Sequence, residues 1–237
     1  MAKFAELTGN IFSSGAEVVV ITVNCEGVMG AGIALDAKNR WPEIYDLYSK
    51  RCELNNFHIG DIMWTNSDSR KVALFPSKKL WRAPSKLSYL SDGLDTLRTD
   101  IDQLSITSIA LPHLGCSNGG LTWSEVKPLI VEKLSRIDEL KVELWKFDQN
   151  FVDQDFQKFR EIFLSLNPKN ASNWVNFSKK TENFVRDVLR DNELTNFVQL
   201  AAIKGVGKKT LEKIYRAALT KNYPVIQSSL DLEGLVR

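Results

Sequence analysis

Hydrophobic positions in the amino-terminal part of the chain follow two patterns, one typical of buried strands and one of amphipathic helices. Residues 18–23 form an apolar, β-branched run that predicts a buried strand. After Gly32, apolar residues at helical spacing predict a helix that ends near Pro42, because a residue before proline disfavours the helical conformation. Further strands are predicted over 57–66, 71–75, 106–111 and 142–147, and further helices over 41–55, 85–101 and 124–134. This alternation predicts an α/β fold whose loops at the strand ends form a site.

Polar residues mark the boundaries between these elements. Residues 67–69 predict a turn between two strands, and residues 76–82 predict an extended, basic loop. Ser85 is the predicted N-cap of one helix, and Thr122 with Glu125 predicts a capped start of another.

From Asn150 onwards the strand-like runs end, and aromatic residues recur at helical spacing. We therefore predict two domains, 1–149 and 150–237, of which the second is smaller and all-α. Its helices are predicted over 154–166, 171–190, 195–202 and 208–219, with a loosely ordered tail after Tyr223.

Composition excludes several classes of protein. The net charge of +2 on 237 residues by itself predicts no polyanion partner. The apolar runs are shorter than the ~18 residues of a membrane span, and the amino terminus does not resemble a signal peptide, so we predict no membrane partner. Three cysteines without metal-binding spacing and only two histidines predict a reduced, cytoplasmic protein without a metal or cofactor.

The glycine-rich turn between the first predicted strand and helix carries candidate chemistry. Gly27, Gly30 and Gly32 follow Asn24 and Cys25, in the strand–turn–helix order that can bind a pyrophosphate through backbone N–H groups. The spacing matches neither the dinucleotide fingerprint nor the P-loop, so the turn alone is equally compatible with a packing role.

Three stretches together carry a resemblance to a known family: residues 8–12, residues 23–34 and residues 111–123. They resemble the ADP-ribose-binding segments of macrodomains, in the same order and over roughly residues 1–147. The branch they resemble is the DarG type, an antitoxin that removes ADP-ribose from DNA, and a related branch hydrolyses ADP-ribose esters on protein carboxylates. The resemblance implies a three-layer α/β/α fold with a mixed sheet.

The resemblance also implies which residues form the site. The residues implied to bind ADP-ribose are Asn10, Ile11, Thr22, Val23, Asn24, Met29, Gly30, Ala31, Gly32, Ile33, Ala34, Ser77, Leu114, Gly115, Cys116, Ser117, Asn118, Gly119 and Gly120. Backbone N–H groups of 30–34 would bind the diphosphate, and the loop 115–120 would close over its other side. Asn24 would contact the distal ribose; its alternative role is to cap the turn.

Lys78 matches the lysine that carries catalysis in the DNA-directed and ester-cleaving macrodomains. Two roles stay open: nucleophilic attack on C1″ of the opened distal ribose, or electrostatic stabilisation of the transition state. Trp81 would stack on a nucleobase or anchor the loop. Cys25, Cys116 and His113 lie near the implied pocket, and we interpret them as packing or structural residues.

The chain departs from the family pattern at three positions. Asn10 replaces an aspartate that contacts adenine, and Ala31 replaces a lysine common in the DNA-directed branch. Gly119 replaces the second catalytic aspartate of the protein-ester branch, which favours the lysine-only mechanism on DNA.

The second predicted domain contains a helix, a Gly205-Val206-Gly207 hairpin and a second helix over residues 200–214. This motif resembles the helix-hairpin-helix, which binds phosphates of DNA through backbone N–H groups without reading bases. With Trp81, the candidate nucleic-acid-binding residues are Lys204, Gly205, Gly207, Lys208, Lys209 and Lys213. The alternative is a helical hairpin whose lysines are merely solvated.

Taken together, these features predict a hydrolase that removes ADP-ribose from nucleobases of ADP-ribosylated, single-stranded DNA. It would release ADP-ribose, reverse a DNA ADP-ribosyltransferase toxin and have that toxin as a partner. The alternatives are an ADP-ribose reader without turnover, an ADP-ribose 1″-phosphate phosphatase and a protein-ester de-ADP-ribosylase.

Overall fold

The computed structural model describes residues 1–67, 70–220 and 223–224. The chain divides into two compact units, Met1–Gln149 and a second that begins at Asn150. Across the described residues, no helix combines the length and apolarity needed to cross a membrane. Part of the predicted turn at 67–69 and most of the predicted tail after Tyr223 lie outside the described residues.

In the described part of the first unit, six strands form one mixed sheet in the order β1-β6-β5-β2-β4-β3. The strands are β1 (Lys3–Gly9), β2 (Val18–Asn24), β3 (Met63–Asn66), β4 (Lys71–Lys78), β5 (Ser108–Pro112) and β6 (Lys141–Phe147). Neighbouring strands pair in parallel except β3, which is antiparallel to β4. The carboxyl ends of β2, β4 and β5 therefore meet at one edge of the sheet, where ligands bind in folds of this kind.

Helices cover both faces of this sheet. They are α1 (Gly32–Arg40), α2 (Pro42–Glu53), α3 (Leu87–Gln103) and α4 (Trp123–Leu134). Alternate residues of β2 point to opposite faces: Val19 and Ile21 share a core with α1 and α2, whereas Val18 and Val20 share one with α3 and α4. This arrangement confirms the predicted three-layer α/β/α fold with a mixed sheet.

Three details of the first unit differ from the sequence-based predictions. Strand β1 was not predicted, and the strand predicted over 57–66 is confined to Met63–Asn66. Before it the chain turns: Gly60 has a φ of +91°, and Asp61 Oδ2 accepts the N–H of His58 at 2.7 Å. The turn prevents the extended conformation that the alternating pattern had predicted for 57–62.

The other differences concern β4 and α3. β4 continues through Pro76 to Lys78, so the predicted loop begins only at 79. Proline fits there because β3 pairs with β4 only as far as Leu74, and prolines are tolerated where a strand lacks a neighbour. The predicted N-cap Ser85 is wrong: α3 begins at Leu87 after Lys86, with no side-chain cap. The capping box of Thr122 and Glu125 is confirmed at α4.

The described part of the second unit is helical. Its helices are α5 (Gln154–Ser165), α6 (Pro168–Val175), α7 (Lys179–Leu189), α8 (Phe197–Ala202) and α9 (Lys208–Leu219). Phe156, Phe159 and Phe163 of α5 lie in its core. The single helix predicted over 171–190 is two helices, because Asn176 adopts a left-handed conformation with φ +58° and Ser178 caps α7.

Candidate active site

Asn24 at the carboxyl end of β2 closes the turn that follows it. Its side-chain oxygen accepts the N–H groups of Glu26 at 2.9 Å and Val28 at 3.3 Å, and its amide donates to the Val28 carbonyl at 2.6 Å. The buried Tyr48 hydroxyl donates to the Asn24 backbone carbonyl at 2.8 Å. Asn24 thus serves the turn-capping role, and its contact with the distal ribose stays a prediction.

The start of α1 has the properties of an anion-binding helix end. Gly30, Ala31 and Gly32 are exposed, and the N-cap Ala31 has no side-chain cap. The first turn of α1 carries no acidic residue, so its N–H groups and the positive end of the helix dipole are available to an anion.

The glycine loop after β5, residues 113–121, lies beside this helix end. Gly115 and Gly120 have φ values of +67° and +80°, which let the loop reverse direction within six residues. A Cβ atom added to Gly32 would lie 3.2 Å from Asn118 Nδ2. The structure therefore brings together two predicted loops that are separated by more than eighty residues in the sequence.

Lys78 is the last residue of β4 and pairs with Asn24 across the sheet. Its Nζ donates to the Asn118 backbone carbonyl at 2.6 Å and to the Trp81 carbonyl at 3.5 Å. The ammonium is partly buried, and this loss of solvation lowers the pKa of Lys78. The candidate catalytic amine therefore contacts the glycine loop directly.

The loop that follows Lys78 is fixed by a residue that sequence reasoning missed. Glu26 Oε2 accepts the backbone N–H of Trp81 at 2.7 Å. The Trp81 side chain remains 47% exposed, with the Arg82 guanidinium 4.3 Å from its ring centroid. No local spacing could have identified Glu26, because it lies 55 residues from Trp81.

Gly119 has no room for a side chain. A Cβ atom there would lie 2.3 Å from the Gly115 carbonyl oxygen and 2.3 Å from Ser85 Oγ. Ser85 is buried under the loop, and its N–H donates to the Gly119 carbonyl at 2.9 Å. In this loop conformation, an aspartate at position 119 cannot be accommodated.

The remaining residues implied to bind ADP-ribose lie on the same elements or beside them. Asn10 is buried and caps a 3-10 helix, Ile11–Ser13, by accepting the N–H of Phe12 at 3.1 Å. The others are Thr22 and Val23 on β2, Met29 in the turn, Ile33 and Ala34 on α1, Ser77 on β4, and Leu114, Cys116 and Ser117 in the glycine loop. Their contacts with a ligand stay predictions.

The cysteines and His113 have properties that suit packing. Burial raises the pKa of Cys25 to about 11 and also raises the pKa of Cys116, so both thiols are protonated near neutral pH. His113 stacks on Trp123 at a centroid distance of 3.6 Å, and burial lowers its pKa. Among the described residues, no group of three His, Cys, Asp or Glu side chains could hold a metal ion.

In the second unit, the predicted hairpin joins α8 to α9. Gly205 has a φ of +103°, and Gly207 is the N-cap of α9. The side chains of Lys204, Lys208 and Lys209 are exposed. Lys213 differs from them, because its Nζ donates to the Asn176 carbonyl at 2.5 Å.

Comparisons with known proteins agree with this geometry. The Macro domain family matches residues 20–130. The protein named DNA ADP-ribosyl glycohydrolase of Thermus aquaticus is 42% identical over 144 residues, which are 59% of this chain and 39% of that protein. This chain therefore spans about two fifths of the length of that curated relative.

Solved structures give the same result. The macrodomain of Thermus aquaticus DarG matches with a TM-score of 0.59 and 39% identity, over 62% of this chain and 99% of that one. Thermosipho africanus DarTG in complex with ADP-ribose matches with a TM-score of 0.56 and 27% identity, over 63% of this chain and 42% of that one. Because nearly the whole Thermus aquaticus macrodomain aligns at this identity, the chain belongs to the macrodomain family.

Proposed function

We propose that the first unit, residues 1–149, is a glycohydrolase that removes ADP-ribose from nucleobases of DNA. The observation that carries the proposal is the contact between Lys78 and the glycine loop, beside the free start of α1. The relatives named DNA ADP-ribosyl glycohydrolase support the choice of substrate. In the reaction, water is added across the N-glycosyl bond: C1″ of the ribose receives the hydroxyl, and the base nitrogen receives the proton.

In this proposal the two loops bind the substrate's diphosphate. The N–H groups of 30–34 bind one side of it at the positive end of the α1 dipole, and the glycine loop closes the other side. Because Gly32 and Asn118 are in near contact, a diphosphate bound at the start of α1 would place the attached distal ribose close to Lys78. Positioning of this kind supplies much of the rate enhancement in enzymes.

Lys78 is the proposed catalytic residue. Its hydrogen-bond acceptors are two backbone carbonyls, and burial lowers its pKa, so the neutral amine forms more readily than in an exposed lysine. We therefore favour the nucleophilic role, in which the amine displaces the base from C1″ of the ring-opened sugar and water then hydrolyses the imine. Both steps together consume one water and return Lys78 unchanged.

Protein-ester hydrolysis is the less favoured function. The ester-cleaving branch would need an aspartate at position 119, where even a Cβ atom would overlap the Gly115 carbonyl. The reader and the phosphatase are tested by the experiment described below.

The second unit, residues 150–237, is the proposed DNA-holding domain. The exposed Lys204, Lys208 and Lys209 around the hairpin provide positive charge for the phosphates of single-stranded DNA. A tethered second site raises the local concentration of substrate without new chemistry. The three free cysteines support a cytoplasmic location, and a DNA ADP-ribosyltransferase is the proposed cognate toxin.

The experiment measures release of ADP-ribose from single-stranded oligonucleotides that each carry one ADP-ribosylated base. We expect release by the wild type and a loss of at least about 100-fold for Lys78→Ala, with ADP-ribose affinity retained in calorimetry. Lys71→Ala is the matched control, because Lys71 lies at the other end of β4 and pairs with Glu17 at 2.8 Å. Tight binding of ADP-ribose without release would instead identify a reader, and release of phosphate from ADP-ribose 1″-phosphate a phosphatase.

A further inference from the structure

Large apolar side chains are exposed next to the candidate active site. Leu80, Trp81 and Leu87 are 54%, 47% and 37% exposed, although they lie within eight consecutive residues. Clustering of this kind marks interaction surfaces more often than scattered exposure does. The cluster begins two residues after Lys78, so a partner bound there would lie beside the reacting bond.

The same segment carries positive charge without acidic residues. Lys79, Arg82 and Lys86 are exposed, and residues 79–91 contain no Asp or Glu. None of the three cations forms an ion pair within the described residues. Their neighbours are aromatic: the Arg82 guanidinium lies 4.3 Å from the Trp81 ring centroid, and the Lys86 ammonium lies 5.4 Å from that of Tyr89. The segment therefore interleaves aromatic planes with uncompensated charge.

Hydrogen bonds hold this segment in place before any partner binds. Its N-terminal end is tied by the Lys79 carbonyl, which accepts the N–H of Cys25 at 3.0 Å. Its middle is tied by the bond from Trp81 to Glu26, the nearest carboxylate, whose Oε2 is already occupied by that amide. Its C-terminal end is tied by the bond from Ser85 to Gly119. A surface that is already ordered loses little entropy on binding.

We infer that this segment binds the DNA strand that flanks the modified base, and we call it the flanking-strand surface. It consists of Lys79, Leu80, Trp81, Arg82, Lys86 and Tyr89. Stacking of bases on aromatic and guanidinium planes, with phosphates on nearby cations, is how proteins hold single strands without reading sequence. A protein partner would suit the apolar side chains, but the three unpaired cations match a polyanion better.

This inference rests on the proposed function and adds a consequence to it. The enzyme prefers an ADP-ribosylated oligonucleotide over an ADP-ribosylated nucleoside, because only the oligonucleotide reaches from the pocket onto this surface. The preference comes from binding and is expressed in KM, since the cations of the surface lie outside the reacting centre. It also weakens with salt, because each phosphate contact releases a counterion from the strand.

The test compares the full chain with the double variant R82A/K86A on both substrates. The oligonucleotide of about twelve nucleotides fits the site sizes of single-strand binders. We expect the variant to raise KM for it about tenfold, with kcat and the nucleoside kinetics unchanged, and to make the salt slope shallower by roughly 1.4, at about 0.7 per phosphate contact. The matched control is R136A/K141A, which removes the same two charges from the opposite edge of the sheet.

Two results would overturn the inference. One is an equal KM for R82A/K86A and R136A/K141A on the oligonucleotide, which would leave the surface to a protein partner. The other is an equal loss of R82A/K86A activity on both substrates, which would place these side chains in the pocket.

A separate readout distinguishes failure of the proposed function from failure of this inference. Fluorescence anisotropy measures binding of an unmodified single-stranded oligonucleotide, which needs no turnover. Weakened binding by R82A/K86A, but not by R136A/K141A, supports the surface even if the wild type releases no ADP-ribose. Unchanged binding, together with normal release by the wild type, rejects the surface and retains the glycohydrolase.

Discussion

Lys78 and Asn118 join two loops of the first unit through one hydrogen bond, from Nζ to the backbone carbonyl, at 2.6 Å. The bond links the end of β4 to the glycine loop after β5, across the carboxyl edge of β2, which separates these strands in the sheet. Because the acceptor is a backbone carbonyl and not a side chain, the contact depends on the conformation of the loop. The position of the amine and the shape of the loop are therefore coupled.

Lys78 gives the reaction a direction in its pH dependence. Burial lowers its pKa below the usual lysine value of about 10.4, and only the neutral amine attacks C1″. We expect kcat/KM to rise with pH and to level off below that value, because kcat/KM reports the free enzyme's ionisation. Cyanoborohydride should trap the imine as an ADP-ribose adduct on Lys78, detected by peptide mass spectrometry. A fall in kcat/KM with pH over the same range, without an adduct, would assign the ammonium an electrostatic role.

Gly119 is predicted to be essential for the glycine loop. Gly119→Ala places a methyl group 2.3 Å from both the Gly115 carbonyl oxygen and Ser85 Oγ, and such overpacking costs about 1–3 kcal/mol. Denaturant unfolding of the full chain measures this cost, and ADP-ribose calorimetry measures the damage to the loop. The control is Gly15→Ala, since Gly15 is exposed and a Cβ there meets nothing within 4 Å. Equal unfolding midpoints for the two variants would contradict the steric argument.

Two glycines of the hairpin are predicted to differ in their tolerance of substitution. Gly205 has a φ of +103°, and a Cβ there would lie 2.8 Å from Phe184 Cζ, so Gly205→Ala should cost about 1–3 kcal/mol of stability. Gly207 has open space and an extended N-cap conformation, so Gly207→Ser should be neutral or slightly stabilising. Thermal unfolding followed by circular dichroism compares the pair. A larger loss for Gly207→Ser than for Gly205→Ala would reject this assignment.

Arg186 is predicted to be the ion-pair partner on which the second unit's stability depends. Its guanidinium donates to the fully buried Glu182 at 2.6 Å and to the carbonyls of Leu164 and Leu166 at 3.2 and 3.0 Å. Arg186→Met leaves the Glu182 carboxylate buried without its partner, which costs about 3–5 kcal/mol.

The control for Arg186 is Arg190→Met on the same helix region. Arg190 pairs with Asp187 at 3.1 Å, but both side chains are mostly exposed, so the loss should stay below about 1 kcal/mol. Denaturant titration of the two variants gives the comparison. Similar unfolding free energies would show that burial does not set the value of these pairs.

Much of the fold follows from local patterns in the sequence. The β-branched run of β2, the helical spacing of α9 and the capping box of Thr122 and Glu125 each depend on residues within a few positions of one another. Strand β1 escaped prediction because it lies at the edge of the sheet, where most of its side chains are at least partly exposed. Asn176 divides a predicted helix through a left-handed conformation that helical periodicity does not reveal.

The sequence by itself determined which residues could carry the chemistry: the glycine turn, the glycine loop and Lys78 are adjacent to predicted strands and match a family pattern in order. Only the tertiary structure decided how they meet. Lys78 reaches Asn118 across 40 residues, Trp81 is held by Glu26 across 55, and Ser85 fills the space that a side chain at Gly119 would need. The physical reason is the strand order, because parallel pairing of β5, β2 and β4 brings the carboxyl ends of distant segments to one edge.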